Sequence, residues 1–327
     1  MFQDVNSCDP LPEGSLEPSR LQYLPTIRSG SFTSIGQRAS MEDEHIMIDD
    51  LSSYLGSVCP TPSAFFGVFD GHGGPDAAAY VKTNATEIFF NNADFLQTSE
   101  TDDDDDLLKT MEGSFHKSFL YADLALANDL HVRKSSGTTA ITAIILGRRL
   151  LVANVGDCRA VLSRKGDTIE MSQDHRPMNE PERARVEKSG GHIIDGKYLN
   201  GVLSVSRALG DWDMKLPLGS TSPLIAEPEF REILLTEDHE FLIIGCDGIW
   251  DVLSSQQAVS RVRRGLQRHG DPEKCARDLV KKALRLNTSD NLTVVVVSFS
   301  PLESRETSPK KQGKFGCFRL STDGWTV

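Results

Sequence analysis

Hydrophobic positions along the chain fall into short, dense runs rather than long helical stripes. HIMIDD (45–50) and AFFGVFD (64–70) are brief and rich in β-branched or aromatic residues, which predicts strands. The strongest strand signal is TTAITAIILGRRLLVANVGDCRAVLSRKGDTIEMS (138–172). Its apolar runs break at Gly147–Arg149, Val155–Asp157 and Lys165–Asp167, where tight turns fit, so the segment predicts an antiparallel meander. GVLSVS (201–206) and HEFLIIGCD (239–247) predict two more strands, and NLTVVVVSF (291–299) a buried one. Helical segments lie between them. GGPDAAAYVKTNATEIFF (73–90) places Pro75 near a first turn, and an amphipathic stretch runs from Leu107 to Asn128. PERARVEKSGG (181–191) is preceded by the cap Asn179 and stopped by Gly190 and Gly191. Two helices follow Ser254-Ser255 and Asp271-Pro272, the latter an N-cap with Pro at N1.

Antiparallel strand sets with paired helices argue for an α+β domain of packed sheets covered by helices, not an alternating parallel fold. Residues 1–30, rich in Pro, Ser and Gly, read as a flexible lead-in; residues 31–300 carry the domain; residues 301–327 return to patternless polar sequence. There is no internal repeat.

Composition adds little at first: 327 residues, 39% hydrophobic and 25% charged, ample for a large core. Net charge is −12, from 35 basic and 47 acidic residues. Five acids sit in the run Asp102–Asp106; without them 35 basic residues face 42 acidic ones, a mild −7. Consecutive acids lack calcium-loop spacing, so this run reads as a solvated loop. An acidic chain is a poor nucleic-acid binder. Six cysteines without a C-x-x-C pair read as free thiols of a reducing compartment. The N-terminus shows no secretory pattern, and the longest apolar run is too short to span a bilayer. A cytoplasmic or nuclear location is expected.

The chemistry lies where apolar runs end. FFGVFDGHGG stops abruptly at Asp70, Gly71 and His72; LLVANVGD ends in Asp157; EFLIIGCD ends in Asp247, with Asp251 four residues on. Asp290 stands just before the last strand, and Glu42 and Asp43 just before an early one. A single D-G is an ordinary turn dipeptide. Several carboxylates at the edge of one core repel one another unless a cation cancels their charge. Oxygen-rich sites suit Mg²⁺ or Mn²⁺, and two such ions can clamp an in-line phosphoryl displacement. No His/Cys set has zinc spacing. CRAVLSR (158–164) fits the C-x₅-R spacing of cysteine-dependent phosphatases, but it alternates like a strand, lacks Gly and follows an acid.

Taken in order, GQRASMEDEH, FFGVFDGHGG, SSGTTA, VANVGDCRA, DHRPMNEPERARVEKSGG, NGVLSVSRALGD, IIGCDGIWDVLS and TSDNLTVVVV resemble the metal-dependent type 2C protein serine/threonine phosphatases of the plant-type branch, across residues 31–300. The resemblance implies a four-layer αββα sandwich, two antiparallel sheets between antiparallel helix pairs, with metals in a cleft at one end and a flap at about 174–200. It implies two Mg²⁺ or Mn²⁺ ions bridged by Asp70, joined by the Gly71 carbonyl, with Glu42, Asp247 and Asp290 completing the shells and Asp43 close by. Asp157 and Asp251 match residues that help hold a third, weaker metal in some relatives. It also implies direct attack by a hydroxide bridging the ions, Arg38 as phosphate clamp and His72 as general acid. From the residues alone, His72 equally suits a cap or a hydrogen bond to the metal shell. Expected substrates are phosphorylated proteins such as kinases, and the chain is expected to be monomeric.

The sequence departs from the family near the flap. It reads Tyr198-Leu199-Asn200-Gly201 where many relatives read Arg-Val-Asn-Gly, and Ile194 where receptor-docking plant relatives carry Trp, so regulation by that receptor class is not expected. DWDMKLPLGSTS (211–222) is a loop and a candidate contact surface. Lys310, Lys311, Lys314 and Arg319 around Cys317 read as a disordered basic tail, with an anionic membrane contact or acylation of Cys317 as the sharper alternative. Two other functions compete with the phosphatase: a scaffold that kept the fold, and a hydrolase of small phosphoesters. Scaffold relatives usually lose a metal ligand or the phosphate-binding Arg, and Arg38, Glu42, Asp70, His72, Asp247 and Asp290 are all present here.

Overall fold

Period-2 alternation inside continuous apolar runs is what a strand buried on both faces needs. In the computed structural model, which describes residues 23–56, 59, 62–91, 104–215 and 221–299, the longest strands have that character. The strands are β1 (Arg28–Ser34), β2 (Glu44–Ile48), β3 (Ser63–Phe69), β4 (Gly71–His72), β5 (Gly137–Thr138), β6 (Ala140–Leu146), β7 (Arg149–Val155), β8 (Arg159–Arg164), β9 (Asp167–Glu170), β10 (Ile193–Ile194), β11 (Tyr198–Leu199), β12 (Leu209–Gly210), β13 (Glu229–Leu234), β14 (His239–Gly245) and β15 (Leu292–Ser298). The helices are α1 (Leu51–Leu55), α2 (Asp76–Thr83), α3 (Ala85–Phe90), α4 (Asp104–Asn128), α5 (Glu180–Lys188), α6 (Trp212–Lys215), α7 (Asp247–Trp250), α8 (Ser255–His269) and α9 (Pro272–Arg285).

Two five-stranded antiparallel sheets, β13-β7-β6-β3-β2 and β1-β15-β14-β8-β9, stack face to face. Alternate residues of each strand enter different cores. From β3, Phe65 and Phe69 meet Phe89, Met111, Phe115 and Phe119 of the first helical layer. Phe66 and Val68 point the other way, against Leu242, Ile244, Val295 and Val297 of the opposite sheet. Phe241, Ile243, Val294 and Val296 pack under α8 and α9. Three cores separate four layers, so the αββα sandwich and its α+β class stand.

The cap signals hold at α8, where Ser254 and Gln257 form a capping box, and at α9, where Asp271 accepts from the Lys274 N–H. Other expectations give way. The meander divides: β6 and β7 belong to one sheet, β8 and β9 to the other. The crossing occurs at Gly156, whose φ of +104° and close approach to Thr139 exclude a side chain (a Cβ there would lie 2.5 Å from Thr139). GVLSVS is not a strand; it turns through one isolated bridge, Leu199 to Leu203, and feeds a small satellite core of Val186, Leu199, Val205, Ala208 and Leu224. Segment 73–90 forms two helices broken at Asn84 rather than one, though Pro75 does sit next to the first turn, as its N-cap. Helix α4 spans Asp104–Asn128, so the last three acids of the run are helical rather than loop, while Asp102 and Asp103 lie outside the described residues. Edge strand β13 went unread because its residues are half exposed. In the DWDMK segment the Trp212 indole donates to the Asp123 carbonyl and Lys215 pairs with Asp123, which anchors it rather than leaving a plain loop.

The four cysteines among the described residues are buried free thiols. No helix among them is long and apolar enough to cross a membrane. The C-terminal tail with Cys317 lies outside the described residues.

Candidate active site

Antiparallel pairing decides which strand ends meet. Glu44 of β2 pairs with Phe69 of β3, and Gly245 of β14 with Val294 of β15. The starts of β2 and β15 therefore share one end of the sandwich with the ends of β3, β7 and β14. That gathers Glu42, Asp70, Asp157, Asp247 and Asp290 around one cleft of about 430 Å³, with Arg38, Gly71, His72, Thr139 and Asn291 also in its wall. A larger hollow of about 710 Å³ opens on the helical layer beside Lys109, Lys117 and Tyr121, but no set of carboxylates converges there.

Gly71 lets β4 pass against the Glu42 backbone; a Cβ there would lie 2.4 Å from the Glu42 carbonyl oxygen. Glu42 is fixed from three sides. Its N–H donates to Asn291 Oδ1 (2.8 Å), Oε2 accepts from the Gly74 N–H (2.9 Å), and Oε1 accepts from the Ser40 hydroxyl (2.8 Å). Arg38 stands at the mouth. Its Nη2 donates to Asp290 Oδ2 at 2.7 Å and its side chain is 56% exposed, so most of the guanidinium faces outward.

Asp43 lies behind the cleft rather than in its wall. Oδ2 accepts from the Thr293 hydroxyl at 2.7 Å, and Oδ1 is buried without a well-formed hydrogen bond. Ligand atoms of Asp43, Asp70 and Cys246 lie within 4.8 Å of one another. Asp251 sits at the outer edge, with its side chain 52% exposed.

Burial, followed by repulsion from Asp43, Asp247, Asp157 and Asp290, pushes the Asp70 carboxyl well above its ordinary range. Asp247 is raised in the same way, by burial and then by Asp157, Asp251 and Asp290. Burial carries Asp43 to about 6 against the Thr293 hydrogen bond, and Asp157 to about 6 against the Arg176 charge. Such a set is short of positive charge. Its donors are hard oxygens, one of them an orphaned buried carboxylate oxygen. That fits Mg²⁺ or Mn²⁺. Cys246 does not compete as a soft ligand, because burial and the nearby Asp43 and Asp70 hold its thiol protonated. Cys158 is also a buried thiol pushed well up by burial, 3.1 Å from the Thr139 hydroxyl, so it offers no nucleophile.

Two side chains of the site escaped sequence reading. Arg176 reaches Asp157 (2.9 Å), Asp251 (2.8 Å) and Asp247 (3.5 Å) with one guanidinium. Asp211, buried and in the left-handed region at φ +53°, holds His72 Nε2 at 2.7 Å. DHRP and RALGD stood in the family blocks, but nothing local links Arg176 to Asp247, 71 residues away, or Asp211 to His72, 139 residues away.

These raised carboxyls set the pH response of the metal-free fold. They bind protons more tightly folded than unfolded, so stability falls as pH rises from the ordinary carboxylate range through about 6. Glu182 works oppositely: burial would raise it, but Arg207 and Arg185 pull it below its ordinary range. Its contribution is lost only in more acid solution. In EDTA the protein is therefore expected to melt higher at about pH 5 than at about pH 7.5, and Mn²⁺ should close the gap. Thermal melts at both pH values check this. A melting temperature that climbs with pH in EDTA would contradict it.

The protein phosphatase 2C family profile matches residues 27–292. The chain is 64% identical over 281 residues to "Probable protein phosphatase 2C 2" of Oryza sativa subsp. japonica, covering 85% of this chain and 73% of that protein. It is 57% identical over 296 residues to "Probable protein phosphatase 2C 13" of Arabidopsis thaliana, covering 90% and 77%. Among solved structures, a Toxoplasma gondii serine-threonine phosphatase 2C superposes with a TM-score of 0.70 at 24% identity, covering 85% of this chain and 97% of that one. A C. elegans sex determining protein superposes at 0.71 and 24% identity, covering 84% of this chain and 65%, just under two thirds, of that one. At that identity the two structures bear on fold alone. The chain belongs to the protein phosphatase 2C family.

Proposed function

We propose that this chain is a divalent-metal-dependent protein phosphatase that releases phosphate from phosphoserine and phosphothreonine. The observation that carries the proposal is the meeting of Glu42, Asp70, Asp157, Asp247 and Asp290, from both sheets, in one cleft with Arg38 and His72 on its wall. Asp70, Glu42, Asp247, Asp290 and the Gly71 carbonyl would hold two Mg²⁺ or Mn²⁺ ions. Asp43 backs Asp70 from behind. Asp157 and Asp251 would serve a third, weaker site, whose acids Arg176 also engages. Bound there, the ions supply Lewis acidity towards water and phosphate oxygens and cancel the carboxylate charge.

The protein's own groups supply the rest. Arg38 can bind two phosphate oxygens at once and hold the ester in line, its direction set by Asp290. His72, in the wall of the cleft, would give a departing Ser or Thr oxygen its proton. With Nε2 bound to Asp211, its Nδ1 is the atom left to deliver one.

Phosphate release from a phosphothreonine peptide, with Mn²⁺ or Mg²⁺ and then with EDTA, tests the reading. Turnover that needs the ion and stops with EDTA is expected, with sugar phosphates far poorer substrates. No turnover with either ion, in folded protein, would favour the scaffold function.

A further inference from the structure

Helix α8, SQQAVSRVRRGLQRH, carries four arginines and no acid in a chain of net charge −12. Only Arg263 is strongly neutralised, by Glu240 at 2.8 Å. Arg261 and Arg264 have no acidic partner among the described residues. Arg268, 71% exposed, is 3.8 Å from Asp278, too long for a strong pair. Arg261, Arg264 and Arg268 are spaced i, i+3, i+7, so they lie on one face of the helix. That face borders two hollows of about 190 and 310 Å³, which share Arg261 and Arg264 and are bounded by Asp278 and Lys282 of α9.

We propose that this groove docks an acidic segment of the phosphoprotein substrate, outside the residues that enter the cleft. The proposal rests on the phosphatase reading and deepens it. Seven helical residues span about 10 Å, the length of about three residues of extended chain. Side chains two apart on an extended strand share a face about 7 Å apart, so the three guanidinium forks can engage alternate carboxylates or phosphates of a single extended strand. The hollows along α8, bounded by Asp278 and Lys282 of α9, leave room for such a strand. The groove also adjoins the site in sequence: Leu253, in its wall, stands two residues beyond Asp251 and six beyond Asp247. A substrate seated in the cleft can therefore extend towards it.

The test compares phosphothreonine peptides that differ only in a flexibly linked acidic or neutral tail. The native chain should prefer the acidic tail by about tenfold in kcat/KM at low salt, through KM, and lose the preference at high salt. Arg261→Gln/Arg264→Gln/Arg268→Gln should abolish the preference while p-nitrophenyl phosphate hydrolysis stays unchanged. Arg264 and Arg268 are exposed and Arg261 is half-buried, so the fold should survive, and a thermal melt checks that. Fluorescence anisotropy of a labelled, unphosphorylated acidic peptide reads the groove even if no phosphate is released, which separates failure of docking from failure of the phosphatase reading. An undiminished preference in the triple variant overturns the proposal. So does an absence of acidic-peptide binding by the native chain, or binding to phosphatidylserine vesicles in its place.

Discussion

Asp70→Asn is expected to abolish phosphate release and, in the same protein, to raise metal-free stability. The loss should exceed about a thousandfold, because the proposed binuclear centre has Asp70 as its shared ligand and an amide carries no charge for two cations. The gain follows from the opposite side of the same electrostatics. Burial and four neighbouring carboxylates press on Asp70 and raise its pKa. Removing its charge relieves the fold, with almost no change in side-chain volume. Initial rates in saturating Mn²⁺ and a melt in EDTA near neutral pH measure the two effects. Normal turnover would remove Asp70 from the centre. A lower melting temperature in EDTA would show that the carboxylates are not in conflict.

The second large effect depends on the leaving group. His72→Ala should cut turnover of a phosphothreonine peptide by about 10²–10⁴-fold, because an alkoxide is a poor leaving group without a proton. p-Nitrophenyl phosphate, whose leaving group is stable unprotonated, should be nearly unaffected. Asp211→Asn should give the same selectivity at smaller amplitude, since the imidazole remains but loses the carboxylate that orients it. Equal losses on both substrates would reassign His72 to a structural role, as a cap or a support of the metal shell.

Both predictions use residues visible from sequence, but Asp211, the partner in the second, was not. Asp70 and His72 stood out because an apolar run ended on them, and the family blocks assigned their roles. Asp211 and Arg176 did not stand out. Neither lies in a local pattern that differs from an ordinary turn, and their partners come from other layers of the sandwich. The divided meander has the same origin. The turn residues at 147–149, 155–157 and 165–167 look alike in sequence, yet the first and last close hairpins and the middle one changes sheet. The difference lies in what each strand finds beside it.

The sequence by itself determined the strands buried on both faces, the capped helices α8 and α9, the four-layer class through its family blocks, and the acids at strand ends. Those features rest on local chemistry: side-chain period, the φ preferences of Gly and Pro, and caps that bond within a turn. Only the tertiary structure decided which strand ends share a face, that Arg176 spans three carboxylates, that Asp211 holds His72, and that α8 leaves three arginines along a groove. Each depends on pairing between residues far apart in the chain. Such pairing is set by the register and stacking of whole sheets, which no local window contains.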